Sequence, residues 1–104
     1  MIYCFDLDGT ICSNTDGEYE KAEPYLDRIS IVNNIYEQGH TIIINTARGS
    51  KTGIDWFSFT ENQLKGWGVK FNSLYVGKKI DADIFIDDKA VSDKVFFEKM
   101  NFEK

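Results

Sequence analysis

The chain has 104 residues, 42% of them hydrophobic, enough for the core of one domain and not two. A formal charge of −5 and a pI near 4.7 speak against a general nucleic-acid binder, which presents a basic face. No apolar stretch approaches the roughly 18 residues that suggest a membrane span, and the apolar start, broken by Asp6, is too short for a signal peptide.

Taken in chain order, strand-like and helix-like segments alternate. Residues 1–5 form an apolar run that reads as a buried strand, with Cys4 as a small core residue inside it. Cys4 and Cys12 do not make a disulfide framework, and a reducing cytoplasm is the expected compartment. Residues 11–23 have room for a turn and a small hairpin flap. Residues 24–38 read as a helix: Pro24 suits a first helical position, Leu26, Ile29, Val32, Ile35 and Tyr36 recur at helical spacing, and Gly39 is a stop. His40 opens the next segment and is read as structural. Residues 41–45 are a β-branched run, as expected of a strand covered on both faces. A second helix is expected over 55–67, with Asp55 as its cap and Gly68 as its stop. Residues 72–76 and 83–86 read as strands, and Ser92 caps a last helix carrying Val95, Phe96 and Met100. This order predicts one α/β domain over 1–104, with a mostly parallel sheet and helices on both faces, a Rossmann-like three-layer α/β/α arrangement.

In such sheets, ligands sit beyond the carboxyl ends of the strands. The first strand ends in Asp6-Leu7-Asp8-Gly9-Thr10. In extended backbone, residues two apart point the same way, so Asp6 and Asp8 face one spot while Leu7 turns to the core. Gly9 then allows a sharp turn. Two carboxylates there suit a hard cation or an acid/base pair. The second strand ends in Asn45-Thr46 and the fourth in Asp87-Asp88, with Lys78 and Lys79 in the loop before it. Carboxylates and a hydroxyl from three strands thus reach one rim. Each has a bland reading alone: Thr46 as an ordinary strand end, Lys79 as a solvated lysine, Asp87-Asp88 as a helix cap. Arg48 could grip a carboxylate or second phosphate, or could be a solvated loop residue. A local basic patch could form around Arg48, Lys51, Lys78 and Lys79. No G-x-x-x-x-G-K-[ST] sequence is present, so a nucleotide P-loop is not indicated.

In their order, these motifs resemble those of the haloacid dehalogenase superfamily of phosphohydrolases. The match runs over Asp6-Leu7-Asp8-Gly9-Thr10, Thr46, Lys79 (or Lys78) and Asp87-Asp88, from about residue 2 to residue 88. The resemblance implies phosphomonoester hydrolysis through an aspartyl-phosphate. Asp6 would be the nucleophile, and Asp8 the acid for the leaving oxygen and then the base for water. Thr46, helped by the Ala47 N–H, would bind a phosphoryl oxygen. Lys79 would pair with the nucleophile and the phosphoryl group, with Lys78 beside the substrate. Mg²⁺ would be held by Asp6, the Asp8 carbonyl and Asp87, with Asp88 close by.

Neither usual insertion point holds a cap domain, so the site is expected to be open. It would take a bulky substrate or be closed by a second copy, for which Trp56, Phe57 and Phe59 could form the interface. Small relatives of this kind resemble sugar-phosphate phosphatases of capsule or lipopolysaccharide synthesis. The expected partner is a small-molecule phosphate ester, with no nucleic acid and no membrane. Two other readings use the same residues. One is a phosphotransferase or mutase sharing the intermediate. The other is a non-enzymatic phosphoryl-accepting domain like a response-regulator receiver, although receivers place the acidic pair first.

Overall fold

Residues 41–46 carry three consecutive isoleucines, and β-branched side chains favour the pleated backbone. They form the middle strand of the sheet. The computed structural model describes residues 1–77 and 91–102. Within these, β1 (Ile2–Asp6), β2 (Thr41–Thr46) and β3 (Ser73–Val76) pair in parallel in the order β1-β2-β3. Cys4 lies opposite Ile43, Asp6 opposite Asn45, and Thr46 opposite Val76. The helices are α1 (Leu26–Glu37), α2 (Phe57–Gly66) and α3 (Asp93–Phe102). The chain is therefore an α/β fold in which helices α1 and α2 connect parallel strands. The expected fourth strand at 83–86, with Lys78, Lys79, Asp87 and Asp88, lies outside the described residues. Among the described residues, no helix is long and apolar enough to cross a membrane.

The period-2 pattern of β2 buries Ile42, Ile44 and Thr46 and leaves the alternate residues half-buried. Each buried isoleucine contributes about 1.5–3 kcal/mol over an exposed one. Val32 and Ile35 of α1 and Leu64 of α2 complete this core. Phe97 of α3 is buried beside Phe5, with ring centroids 6.1 Å apart. Arg28 ties this side together: Nη1 donates to the Thr10 carbonyl at 2.9 Å and to the Asp93 carboxylate at 3.0 Å.

Several sequence expectations shift. β1 is not buried throughout: Tyr3, Phe5 and Leu7 turn inward, while Ile2 and Cys4, on the alternate face, are exposed. Cys4 is therefore not a core residue. Helix α1 starts two residues after Pro24, because a longer-range pairing holds that stretch extended. Cys12 bridges Pro24, the Tyr25 N–H donates to the Ile11 carbonyl at 2.9 Å, and the Ser13 N–H donates to the Glu23 carbonyl at 2.9 Å. Leu26, counted in the apolar stripe, is exposed. In α3, Phe97 is buried and Val95 is exposed. The cap of α3 stands, with the Ser92 hydroxyl accepting the Val95 N–H at 3.3 Å, whereas the cap position of α2 falls to Trp56, and Asp55 just before it accepts the Phe57 N–H at 2.9 Å.

Candidate active site

Parallel pairing brings the carboxyl ends of β1 and β2 to one rim. Asp6 closes β1 there, opposite Asn45. The turn that follows is wound on one carbonyl: Leu7 O accepts the N–H groups of Thr10 at 3.1 Å and Ile11 at 2.8 Å. Gly9 sits at φ +87°, a conformation that favours glycine. Leu7 is wholly buried and anchors the turn, leaving the half-buried Asp6 and Asp8 on either side of it.

Asp8 is the hub. Its Oδ2 accepts the Arg48 Nε–H at 2.9 Å and the Thr46 hydroxyl at 3.3 Å. Its Oδ1 accepts an Arg48 Nη2–H at 2.7 Å and the Cys12 thiol at 3.6 Å. The Arg48–carboxylate contact is thus bidentate, the stronger form of charge-assisted hydrogen bond. The Arg48 side chain is 0% exposed and that of Asp8 17%. Both Arg48 Nη1 donors also have partners: the Thr60 hydroxyl at 3.2 Å and Gln63 Oε1 at 2.7 Å. The guanidinium lies 4.5 Å from the centre of the Tyr19 ring. Tyr19 belongs to a 3₁₀ turn (Tyr19–Lys21) in the flap, and its carbonyl accepts the Gln63 Nε2–H at 2.7 Å. Its ring meets Trp56 edge-on at 4.9 Å. The flap is therefore fastened to α2 across Arg48.

Cys12 lies under this network. Burial, with the Asp8 carboxylate adding to it, pushes its thiol up from 9.0 to about 12. It remains a neutral thiol in the working range.

The sequence-predicted residues fall as follows. Asp8 and Thr46 are in direct contact, and Asp6 ends the adjoining strand. Ala47 is half-buried in the turn out of β2, where its carbonyl accepts the Ser50 N–H at 2.8 Å. Arg48 is not a solvated loop residue; it faces inward and contributes no surface charge to a basic patch. The loop after it doubles back so closely that a Cβ on Gly49, at φ +83°, would collide with the Ile54 carbonyl oxygen. Trp56 is half-buried between Tyr19 and Phe59, whereas Phe57 and Phe59 remain partly exposed. His40 Nδ1 meets the chain's amino terminus at 2.8 Å, far along the strands from the rim.

Sequence reasoning missed Tyr19, Thr60 and Gln63 as partners of Arg48. One signal was available. Thr60 lies four residues before Leu64, on the buried face of α2, and a buried hydroxyl requires a polar partner.

The donor set at the end of β1 suits a hard cation. Asp6 offers a carboxylate. Among the described residues, the Asp8 carbonyl accepts none of the turn's backbone hydrogen bonds. No group of three or more acidic, His or Cys side chains that could hold a metal occurs among the described residues; Asp87 and Asp88 are not among these.

Comparisons with known proteins agree on the fold. The chain is similar to the crystal structure of a structural-genomics target from Vibrio cholerae, with 26% identity over 97% of this chain and 94% of that one, and a TM-score of 0.82. It also resembles part of two structures of the Pnkp1/Rnl/Hen1 RNA repair complex. There the identities are 15% and 17%, and the TM-scores 0.57 and 0.58. This chain spans 31% and 34% of those chains. No family model matches, and no curated protein matches.

Proposed function

We propose that this chain is a Mg²⁺-dependent phosphomonoester hydrolase of the haloacid dehalogenase type, acting in the cytoplasm on a small-molecule phosphate ester through an aspartyl-phosphate on Asp6. Its scaffold would be the three-layer Rossmann-like arrangement that the element order implies. One observation carries the reading: the Thr46 hydroxyl lies 3.3 Å from Asp8 Oδ2, across 38 residues of sequence. A contact of that kind joins the first and second motifs at the rim where an α/β sheet binds ligands.

In this reading an Asp6 oxygen attacks phosphorus while the bond to the leaving oxygen breaks. Asp8 gives that oxygen a proton, then takes one from the water that attacks the aspartyl-phosphate. The Thr46 hydroxyl turns from Asp8 to a phosphoryl oxygen. Removal of one such preorganised donor typically costs about 2.7–4 kcal/mol of transition-state stabilisation. Lys79, or Lys78, supplies positive charge to the phosphoryl group. The Asp6 carboxylate, the Asp8 carbonyl and Asp87, with Asp88 nearby, would hold Mg²⁺. Its charge offsets the repulsion between a phosphate dianion and the carboxylates.

A panel of phosphate esters that includes sugar phosphates, assayed with Mg²⁺, tests the proposal. Phosphate release that EDTA abolishes and added Mg²⁺ restores is expected. Release of a phosphorylated acceptor in place of free phosphate would turn the reading towards phosphotransfer. No turnover of any ester by the folded protein would overturn it.

A further inference from the structure

Arg48 is the residue least accounted for by the chemistry above. It is the largest fully buried side chain among the described residues, and it lies beside the acid/base candidate. A guanidinium has five N–H donors. Here Nε goes to Asp8, Nη1 to Thr60 and Gln63, and Nη2 to Asp8 and, at 3.8 Å, to the Cys12 sulfur. No donor is left over for a bound phosphate or carboxylate.

The Asp8 carboxylate has about four acceptor positions, and four donors reach it. Two are the short arginine contacts. The Cys12 thiol at 3.6 Å points from the buried side. The Thr46 hydroxyl, at 3.3 Å on Oδ2, comes from the residue that ends β2 at the rim. If that hydroxyl rotates to a phosphoryl oxygen, it vacates one lone pair on Oδ2. The bidentate grip fixes the carboxylate plane, so the vacated position lies on the side of Thr46, where β2 ends, and not on the side of the buried Cys12 thiol. Thr60, Gln63 and the Tyr19 ring fix the guanidinium in turn.

Building on the proposed phosphatase reading, we infer that Arg48 is a positioning residue that aims the Asp8 Oδ2 proton at the leaving oxygen, and that it does not bind the substrate. The step balances simply. The phosphorus–oxygen ester bond breaks, the phosphorus–Asp6 bond forms, and the Asp8 proton passes to the departing oxygen.

This role has a signature that a merely structural one lacks. Proton donation matters most when the leaving group is basic. 4-Nitrophenyl phosphate releases a weakly basic phenolate and phenyl phosphate a strongly basic one, and kcat/KM reports the step in which either departs. The experiment compares the two esters for the full-length wild type, Arg48→Lys and Gln63→Met, with Mg²⁺ present. Lysine keeps the charge but cannot hold both carboxylate oxygens. Arg48→Lys should lose about 10²-fold on phenyl phosphate, the lower range for general acid catalysis, and about tenfold or less on the nitrophenyl ester. KM should hold steady for both. Gln63→Met removes one Nη1 partner and the bond to the Tyr19 carbonyl while leaving both Arg48–Asp8 contacts in place, and should show the same asymmetry in smaller measure, which decides the matter if Arg48→Lys does not fold. Equal losses on both esters, or a rise in KM without a leaving-group effect, would overturn the inference and leave the phosphatase reading standing. A folded wild type that hydrolyses neither of these esters nor any other of the panel would overturn both.

Discussion

Removing Asp8 should destabilise the protein far more than a surface carboxylate would. Asp8→Ala leaves a guanidinium with 0% side-chain exposure without its countercharge. Breaking a buried pair by deleting one partner costs about 3–5 kcal/mol. For a domain of 104 residues, each kcal/mol lowers Tm by about 4 °C, so the loss should be roughly 12–20 °C. Arg48→Met should cost less, because the Asp8 side chain keeps 17% exposure and water can reach it. The double variant removes both charges and should recover much of the loss, giving a coupling of about 2–3 kcal/mol. Chemical denaturation of the four proteins, read by circular dichroism, measures it. Single losses that add to within about 0.5 kcal/mol would refute the claim that the two side chains form one buried unit.

Three further outcomes follow from the same geometry. Asp6→Asn should abolish phosphate release while shifting Tm by only a few degrees, checked by parallel activity and melting assays. For Cys12, the thiol binds its proton more tightly folded (about 12) than unfolded (9.0), so the unfolded state loses its proton first as pH rises. Cys12 should therefore subtract stability between those two values, at up to about 1.4 kcal/mol per pH unit, a slope that unfolding curves of Cys12→Ala should lack. Gly49→Ala should destabilise by more than about 1 kcal/mol, through left-handed backbone strain and the collision with the Ile54 carbonyl, as urea melts would show.

The parallel strands were legible because their signals are local. Isoleucine runs and period-2 burial need only neighbouring residues, and Leu7 between two aspartates announces its own inward turn. Asp8 and Thr46 were legible as strand-end polar residues because an α/β order sends such ends to one rim. What escaped was set by pairing across the chain. Pro24 looks like a helix start, but Cys12 holds it extended. Cys4 looks apolar enough for a core, yet its place in the alternation turns it outward. Arg48 sits among glycine, serine and lysine, a setting typical of solvated loops. Its burial depends on Asp8, Tyr19, Thr60 and Gln63 from three other segments, the turn after β1, the flap and α2, and the residues next to it in sequence show none of them.

The central claim is that Asp6 becomes phosphorylated, and borohydride trapping examines it most directly. Wild type mixed with 4-nitrophenyl phosphate and Mg²⁺, then quenched with borohydride, should yield a peptide in which position 6 has become homoserine, the reduction product of an acyl phosphate. Asp6→Asn should yield none. Steady phosphate release with position 6 unmodified, or reduction at Asp8 in its place, would contradict the account.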